Sequence, residues 1–387
     1  MKLFFITDAR FFQTPDGKFY AGEFSFSNIL WERYLAEFNE VYVIARVFQV
    51  ENFKNLNHLV SNVTLLPVVS FNSPLSYLLN KRTISQSIKG YFKKYIPDSV
   101  IIRGAGSLAY HVAKFCIKRK MVYGIEIIGD PYDVFAKGVI KHPLRPLLRN
   151  LFTKFQKEAV YNAKSVIYVT NHALQRRYPA NNKAYSTFAS DVFIEECITS
   201  VKQYPQNKTI KLLCIGSLEQ MYKAPDIVLK AISKLIKEKT DVQLTWLGHG
   251  RFIEEMISLA DSLQIAPNVN FIGSVSGKEV IEYLDKSDIF LLVSRTEGLP
   301  RAIVEAMARA VPCIGSDVGG IPELIHPDLL VEVENADDLS DKIRLIMNSE
   351  EAYSKYSEYS IQLASEFDFS TLENRRKLFF KSVKDEK

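Results

Sequence analysis

The sequence predicts an α/β protein of two doubly wound, Rossmann-like domains. Short apolar runs alternate with amphipathic stretches, and the alternation occurs twice. Several runs are apolar on successive residues, as strands are when helices cover both faces of a parallel sheet. At 387 residues the chain also exceeds the size at which a single core usually stops growing.

In the first half the predicted strands are 2–7 (KLFFIT), 40–47, 63–68, 99–104, 123–129 and 165–170. The opening run, Leu3 to Ile6, is broken by Asp8 and Arg10, which makes it a first strand and not a signal peptide. The second half repeats the pattern at 211–216, 243–248, 269–273, 289–294, 312–316 and 329–333. Helical periodicity between these runs is clearest at 224–239 and 252–264. The polar stretch 199–209 (TSVKQYPQNKT) marks the boundary, so the expected domains are 1–200 and 201–350. Residues 351–387 read as helices without a further strand, expected to pack back on the first domain.

Composition narrows the function classes. With 47% apolar and 24% charged residues, the chain reads as a globular protein with no run long enough to span a bilayer. Four widely spaced cysteines suit neither a disulfide framework nor a zinc site. A reducing, cytoplasmic setting is expected, and so is the lack of any metal or cofactor requirement. The net charge of +5 is unevenly spread: +11 over residues 1–200, −6 over the remainder and +12 within 81–164. Basic residues interleave with Leu, Ile, Phe and Tyr at 80–97 and 137–160. That composition suits an anionic membrane face or an anionic, lipid-linked acceptor. No recognition motif points to nucleic acid.

Open parallel sheets bind ligands beyond the carboxyl ends of their strands, so residues at those ends carry the chemistry. "SRTEGLPRAIVEAMA" (294–308) places Glu297 in the turn after a buried strand and Glu305 about two turns later. Pro300 suits a first helical position. Gly298 and Leu299 offer backbone N–H groups at a helix N-terminus, where an anion is favoured. Carboxylate, anion hole and carboxylate match, in order, the sugar hydroxyls, pyrophosphate and ribose hydroxyls of a nucleotide-sugar.

The longer string "EGLPRAIVEAMARAVPCIGSDVGGIPELI" resembles the donor signature of retaining glycosyltransferases of family 4, which have the GT-B fold. The match runs through Glu297, Gly298, Pro300, Glu305, Ala306, Met307, Pro312, Gly319, Gly320 and Glu323. The resemblance implies transfer of a sugar from a nucleotide-diphosphate donor to a hydroxyl acceptor. Glu297 would then bind the transferred sugar and Glu305 the ribose. "CIGSLEQMYKAPDIVLKAI" is similar to the loop that grips the donor diphosphate, with Gly216 and Lys223 at the family's positions and Ser217 where arginine is common. "WLGHGRF" resembles a Gly-x-Gly turn, in which Gly248 and Gly250 would let backbone approach the nucleotide and His249 is a turn residue. Ala310 stands where many relatives have glycine.

On the acceptor side, "GIEIIGDPYDVF" puts Asp130 where the family has a catalytic histidine and Asp133 where it has an aspartate. An Asp-Pro turn opener explains the same residues. Arg103, ending a strand, is open to a substrate anion or to a neighbouring carboxylate, and Gly22 would admit a donor phosphate. "YVTNHALQRRYP" resembles polysaccharide-assembly members of the family. Another GT-B enzyme, such as a nucleotide-sugar epimerase, and a non-catalytic nucleotide-sugar-binding protein stay open as alternatives. A nicotinamide dehydrogenase is disfavoured, because no strand is followed by G-x-G-x-x-G.

Overall fold

The computed structural model of the chain describes residues 1–54, 58–104, 106–135, 142–194, 196–206 and 209–384. The first sheet comprises β1 (Lys2–Gln13), β2 (Phe19–Ala21), β3 (Glu40–Gln49), β4 (Leu59–Val60), β5 (Thr64–Val68), β6 (Ser99–Arg103), β7 (Gly124–Ile127), β8 (Ser165–Tyr168) and β9 (Tyr185–Phe188). Its helices are α1 (Asn28–Leu35), α2 (Pro74–Tyr95), α3 (Ser107–Arg119), the short α4 (Pro131–Val134), α5 (Arg145–Tyr161) and α6 (Ala173–Arg177). The second sheet comprises β10 (Ile210–Ile215), β11 (Val242–Leu247), β12 (Val269–Gly273), β13 (Ile289–Leu292), β14 (Cys313–Ser316) and β15 (Leu330–Val331). With it go α7 (Pro225–Lys237), α8 (Ile253–Ser262), α9 (Gly277–Lys286), α10 (Arg301–Ala308) and α11 (Ala336–Met347). The chain ends in α12 (Glu350–Ala364) and α13 (Phe369–Lys384).

Both sheets wind outward from their first strand in two directions. In the first, β1 pairs in parallel with β3 on one side and β6 on the other, and β7, β8 and β9 continue the row. The second runs β12-β11-β10-β13-β14-β15, parallel throughout. The strand order therefore reverses between β1 and β6, and again between β10 and β13. Helices leave on opposite faces at these two points and open a crevice.

Strands β2, β4 and β9 escape prediction because they are only three, two and four residues long. Strand β1 is longer than expected. After a register shift between Ile6 and Arg10 it continues to Gln13, pairing with β3 and with the antiparallel β2. The polar residues that break the apolar pattern fall at this irregularity.

The chain crosses between domains twice. After Phe188 a polar segment runs over the second domain, where Ile198 donates to the Ala308 carbonyl and Lys202 to the Ser357 hydroxyl. Helix α12 packs on α10 and α11, and α13 returns to β8 and β9 of the first sheet. There Phe380 lies buried against the rings of Tyr34 and Phe38, with centroids 5.3 and 6.0 Å away. A methyl on Gly124 of β7 would stand only 2.5 Å from Val383, so glycine is what allows the helix this close. Phe380→Ala should cost about 3–5 kcal/mol through the cavity it leaves. A shift of the urea unfolding midpoint would measure it, and an unshifted midpoint would remove α13 from the first domain's core.

Candidate functional site

The strand-order reversal of the second sheet brings together the loops after β10 and β13. Lys223 ends a 3-10 turn in the first loop and is followed by Ala224 in a left-handed conformation (φ 48°) and by Pro225, which opens α7. The lysine stem lies across Gly216, where an added Cβ would be 3.0 Å from its nearest methylene. Its ammonium pairs with Glu297 Oε1 in the second loop, and the Ser294 hydroxyl donates to the same oxygen at 2.9 Å. Lys223 and Glu297, 74 residues apart, are thus neighbours at one mouth.

Arg295 staples these loops together, a role that sequence reasoning missed. Its backbone N–H donates to the Tyr222 carbonyl at 2.7 Å, and its guanidinium pairs with Asp226 at 2.9 Å and with Glu334, and donates to the Met221 carbonyl. Burial opposes its charge, but these carboxylates hold its pKa above the ordinary value. Its partners lie far off in sequence, so no local signal could have found them.

Pro300 is the N-cap of α10, one place before its expected position, and Glu305 is the fifth helical residue. Burial pushes the Glu305 carboxyl above its ordinary pKa, with only Arg301 acting against it. The turn before the helix packs backbone on backbone. Gly320 donates to the Gly298 carbonyl at 2.8 Å. Gly319 (φ +58°) lies so close to Glu297 that an added Cβ would be 2.0 Å from its carbonyl oxygen. Leu299 packs against the cores of both domains, and a Cβ on Gly298 would sit 3.4 Å from the Ile128 carbonyl oxygen of the first.

The Gly-x-Gly turn has a different immediate reason from the one expected. Added Cβ atoms would fall 2.1 Å from the Gly216 carbonyl oxygen at Gly248, and 2.1 Å from backbone atoms of Leu218 and Glu219 at Gly250. Both glycines admit the neighbouring protein loop. Ser217 is likewise engaged inside that loop, donating to the His249 carbonyl at 3.3 Å and accepting from the Glu219 N–H at 3.2 Å. Ala310 takes the left-handed conformation (φ 58°) in which glycine is usual after a helix, and its carbonyl accepts from the Ser357 hydroxyl at 2.7 Å.

On the first domain's side, Asp130 caps α4, accepting from the Tyr132 N–H at 2.8 Å, and it also accepts from the Tyr178 hydroxyl. Arg177 bridges Asp130 and, at 3.1 Å, Asp133. Burial and the charge of Asp130 raise the Asp133 pKa, and Arg177 opposes both. Asp130 thus opens the turn at Asp-Pro, as the turn-opener alternative expects, and both carboxylates are paired with Arg177. Arg103 is buried, donates to Glu126 at 2.6 Å and pairs with Asp191. Of the two partners considered for it, the carboxylate is the one present. Gly22 follows β2 and donates to the Arg10 carbonyl at 2.7 Å, so strand β1 is what needs its missing side chain. Sequence reading overlooked Asp8, whose carboxylate accepts from the Leu108 and Ala109 N–H groups at 2.9 Å. It fills the α3 N-terminus at the first sheet's reversal point.

Residues 199–363, spanning both loops and both glutamates, match the family model Glycosyl transferases group 1. The segment is a glycosyl transferases group 1 domain. The chain is similar to protein CapJ of Staphylococcus aureus, 29% identical over 85% of this chain and 82% of that protein. It is also similar to the O-antigen biosynthesis glycosyltransferase WbnH of Escherichia coli, 34% identical over 43% of this chain and 47% of that one. Among solved structures it resembles Anabaena HepE in complex with UDP and glucose, at 14% identity and a TM-score of 0.66, over 99% of this chain and 100% of that one. The fold is GT-B.

Glu305 supplies a test of the group 1 domain's electrostatics. A carboxyl with a raised folded pKa binds its proton more tightly when folded, so the ionised form costs stability above the unfolded value. Glu305→Gln should therefore raise Tm at neutral pH. The gain should shrink as the pH falls through the raised pKa toward 4.5, the ordinary value. A Tm difference that does not change with pH would contradict the assignment.

Proposed function

We propose that the protein is a retaining glycosyltransferase that moves a sugar from a nucleotide-diphosphate donor to a hydroxyl acceptor in cell-surface polysaccharide or glycolipid assembly. The observation that carries the reading is the meeting of Lys223 and Glu297 at the strand-order reversal of the second sheet, with Glu305 further along α10. Lys223 neutralises the departing diphosphate, joined by the Gly298 and Leu299 N–H groups. Glu297 accepts from hydroxyls of the transferred sugar once the diphosphate draws Lys223 away, and Glu305 accepts from the ribose. The bond from the anomeric carbon to phosphate breaks while a bond to the acceptor oxygen forms on the same face. The acceptor's proton passes to the departing phosphate oxygen. With that base supplied by the donor, no residue has to act as nucleophile and no metal is required. Asp130 and Asp133, held by Arg177, border the acceptor's approach. The E. coli O-antigen relative supports the polysaccharide setting.

Glu305→Ala should weaken binding of free nucleoside diphosphate by about 1.5–3 kcal/mol, a charged hydrogen bond's worth. Isothermal titration measures this, and unchanged affinity would displace Glu305 from the ribose. NMR of the product should show the donor's anomeric configuration, with transfer undiminished in EDTA. An inverted linkage or chelator-sensitive turnover would overturn that part.

The first domain offers a surface for an anionic membrane that carries a lipid-linked acceptor. Leu75, Leu78 and Leu79 of α2 are exposed, as are Leu144, Leu147 and Leu151 at the start of α5. Their spacing puts each trio on one helix face. Both helices begin at the carboxyl edge of the first sheet, the edge that borders the cleft. Among the described residues no helix is long and apolar enough to cross a membrane. Part of the basic stretch 137–160, namely 137–141 with Lys141, lies outside the described residues. Arg145 and Arg149 have structural tasks, donating to the Phe135 and Tyr132 carbonyls at 2.8 Å. The exposed Lys81, Lys89 and Lys93 of α2 are better probes. Wild type should co-sediment with anionic vesicles, less so as salt rises. Glutamine at those three positions should release it without changing nucleotide affinity. Indifference of the wild type to anionic vesicles at low salt would favour a soluble acceptor.

A further inference from the structure

Glu323 belongs to the second domain by sequence and sheet, yet its carboxylate lies on the first. It ends the 3-10 turn Ile321–Glu323 that follows Gly319 and Gly320. Oε2 accepts from the Asn171 N–H at 2.6 Å, and Oε1 from His172 at 3.0 Å and Ala173 at 2.5 Å. These are N–H groups at the start of α6, which a helix cannot satisfy within itself. The next one, of Leu174, is taken by the helix's own Thr170 hydroxyl at 3.0 Å. A carboxylate 150 residues away thus completes the cap, at the helix end where negative charge is favoured.

The helix so capped leads directly to the acceptor side. Its last residue, Arg177, pairs with Asp130 and Asp133, and the next, Tyr178, donates to Asp130. At the other end of the chain of contacts, Gly320 donates to Gly298 beside Glu297. A Cβ on Gly320 would meet both the Gly298 carbonyl oxygen, at 2.4 Å, and the Thr170 methyl, at 3.0 Å. Donor turn, Glu323, α6 and the aspartate pair therefore form one unbroken path across the cleft.

We propose that Glu323 is a positioning residue, a latch that holds the two domains closed and sets the acceptor-side aspartates in register with the donor turn. The catalytic part rests on the glycosyltransfer reading above, whereas the closure part does not. When the cleft opens, the three N–H groups exchange the carboxylate for water and α6 loses its cap. When it closes, one contact both shuts the cleft and fixes the helix that holds Arg177.

The test uses the full chain carrying spin labels at Lys89→Cys and Lys278→Cys, both exposed, with half-buried Cys197 replaced by serine. Glu323→Ala should lengthen and broaden the distance distribution between the domains. It should lower kcat at saturating donor at least tenfold and leave nucleoside diphosphate affinity within twofold. Glu323→Gln, which keeps one accepting oxygen, should fall between. Thr170→Val removes the helix's own cap without touching the interdomain bonds, so it should leave the distances as in wild type. A folded Glu323→Ala protein with wild-type distances overturns the latch whatever the chemistry. Longer distances with unchanged kcat support closure but overturn the catalytic role. Loss of kcat equal to that of Thr170→Val, with distances unaltered, reduces Glu323 to a helix cap.

Discussion

Three arginines and three carboxylates, gathered where the chain leaves its first domain, tie the molecule together. Arg103 of β6 reaches Glu126 of β7 and Asp191 of the crossing segment. Arg376 of α13 pairs with Glu373 and approaches Asp191 at 3.9 Å, while Arg33 of α1 approaches both Asp191 and Glu373. Burial alone would raise the Asp191 pKa, but Arg103, Arg376 and Arg33 together hold it at about 2. The Tyr34 hydroxyl donates to Glu126 at 2.9 Å and completes that carboxylate's bonds. Removing charges from water is costly unless each finds a partner, so this cluster favours one arrangement of β6, β7, the outgoing chain and the returning helix. The cluster thereby fixes where the outgoing chain and the returning helix join the first domain.

The second organising constraint is steric. Loops from separate strands converge at the carboxyl edge of the second sheet, and they touch through backbone. At Gly248, Gly250, Gly319 and Gly320 a side chain would overlap a neighbouring carbonyl or amide. With those positions bare, the loops bring Lys223 and Glu297 together just ahead of α10. Arg295 then fixes the spacing. Its mostly buried guanidinium ties both loops to Asp226 and Glu334, an arrangement that holds the two loops together.

What the sequence by itself determined is whatever rests on local pattern. Twelve mostly apolar runs place the principal strands, several of them buried on both faces and so apolar on successive residues. The turn at Glu297–Pro300 and the helix after it were legible because capping and turn chemistry act over a few residues. Tertiary structure alone decided the rest. The meeting of Glu297 with Lys223 required the pairing of β10 with β13, which are not consecutive in the chain. The short strands β2, β4 and β9 exist because β1, β2 and β8 respectively present edges for them to pair with. Arg103 and Asp130 keep the strand-end positions that the sequence implied, but their charges are met by Asp191 and Glu126 and by Arg177. Asp8 turns into a helix start 100 residues away, and Glu323 into one 150 residues away. Periodicity records which face of an element is buried, whereas a charged side chain chooses its partner across space, where sequence separation carries no signal.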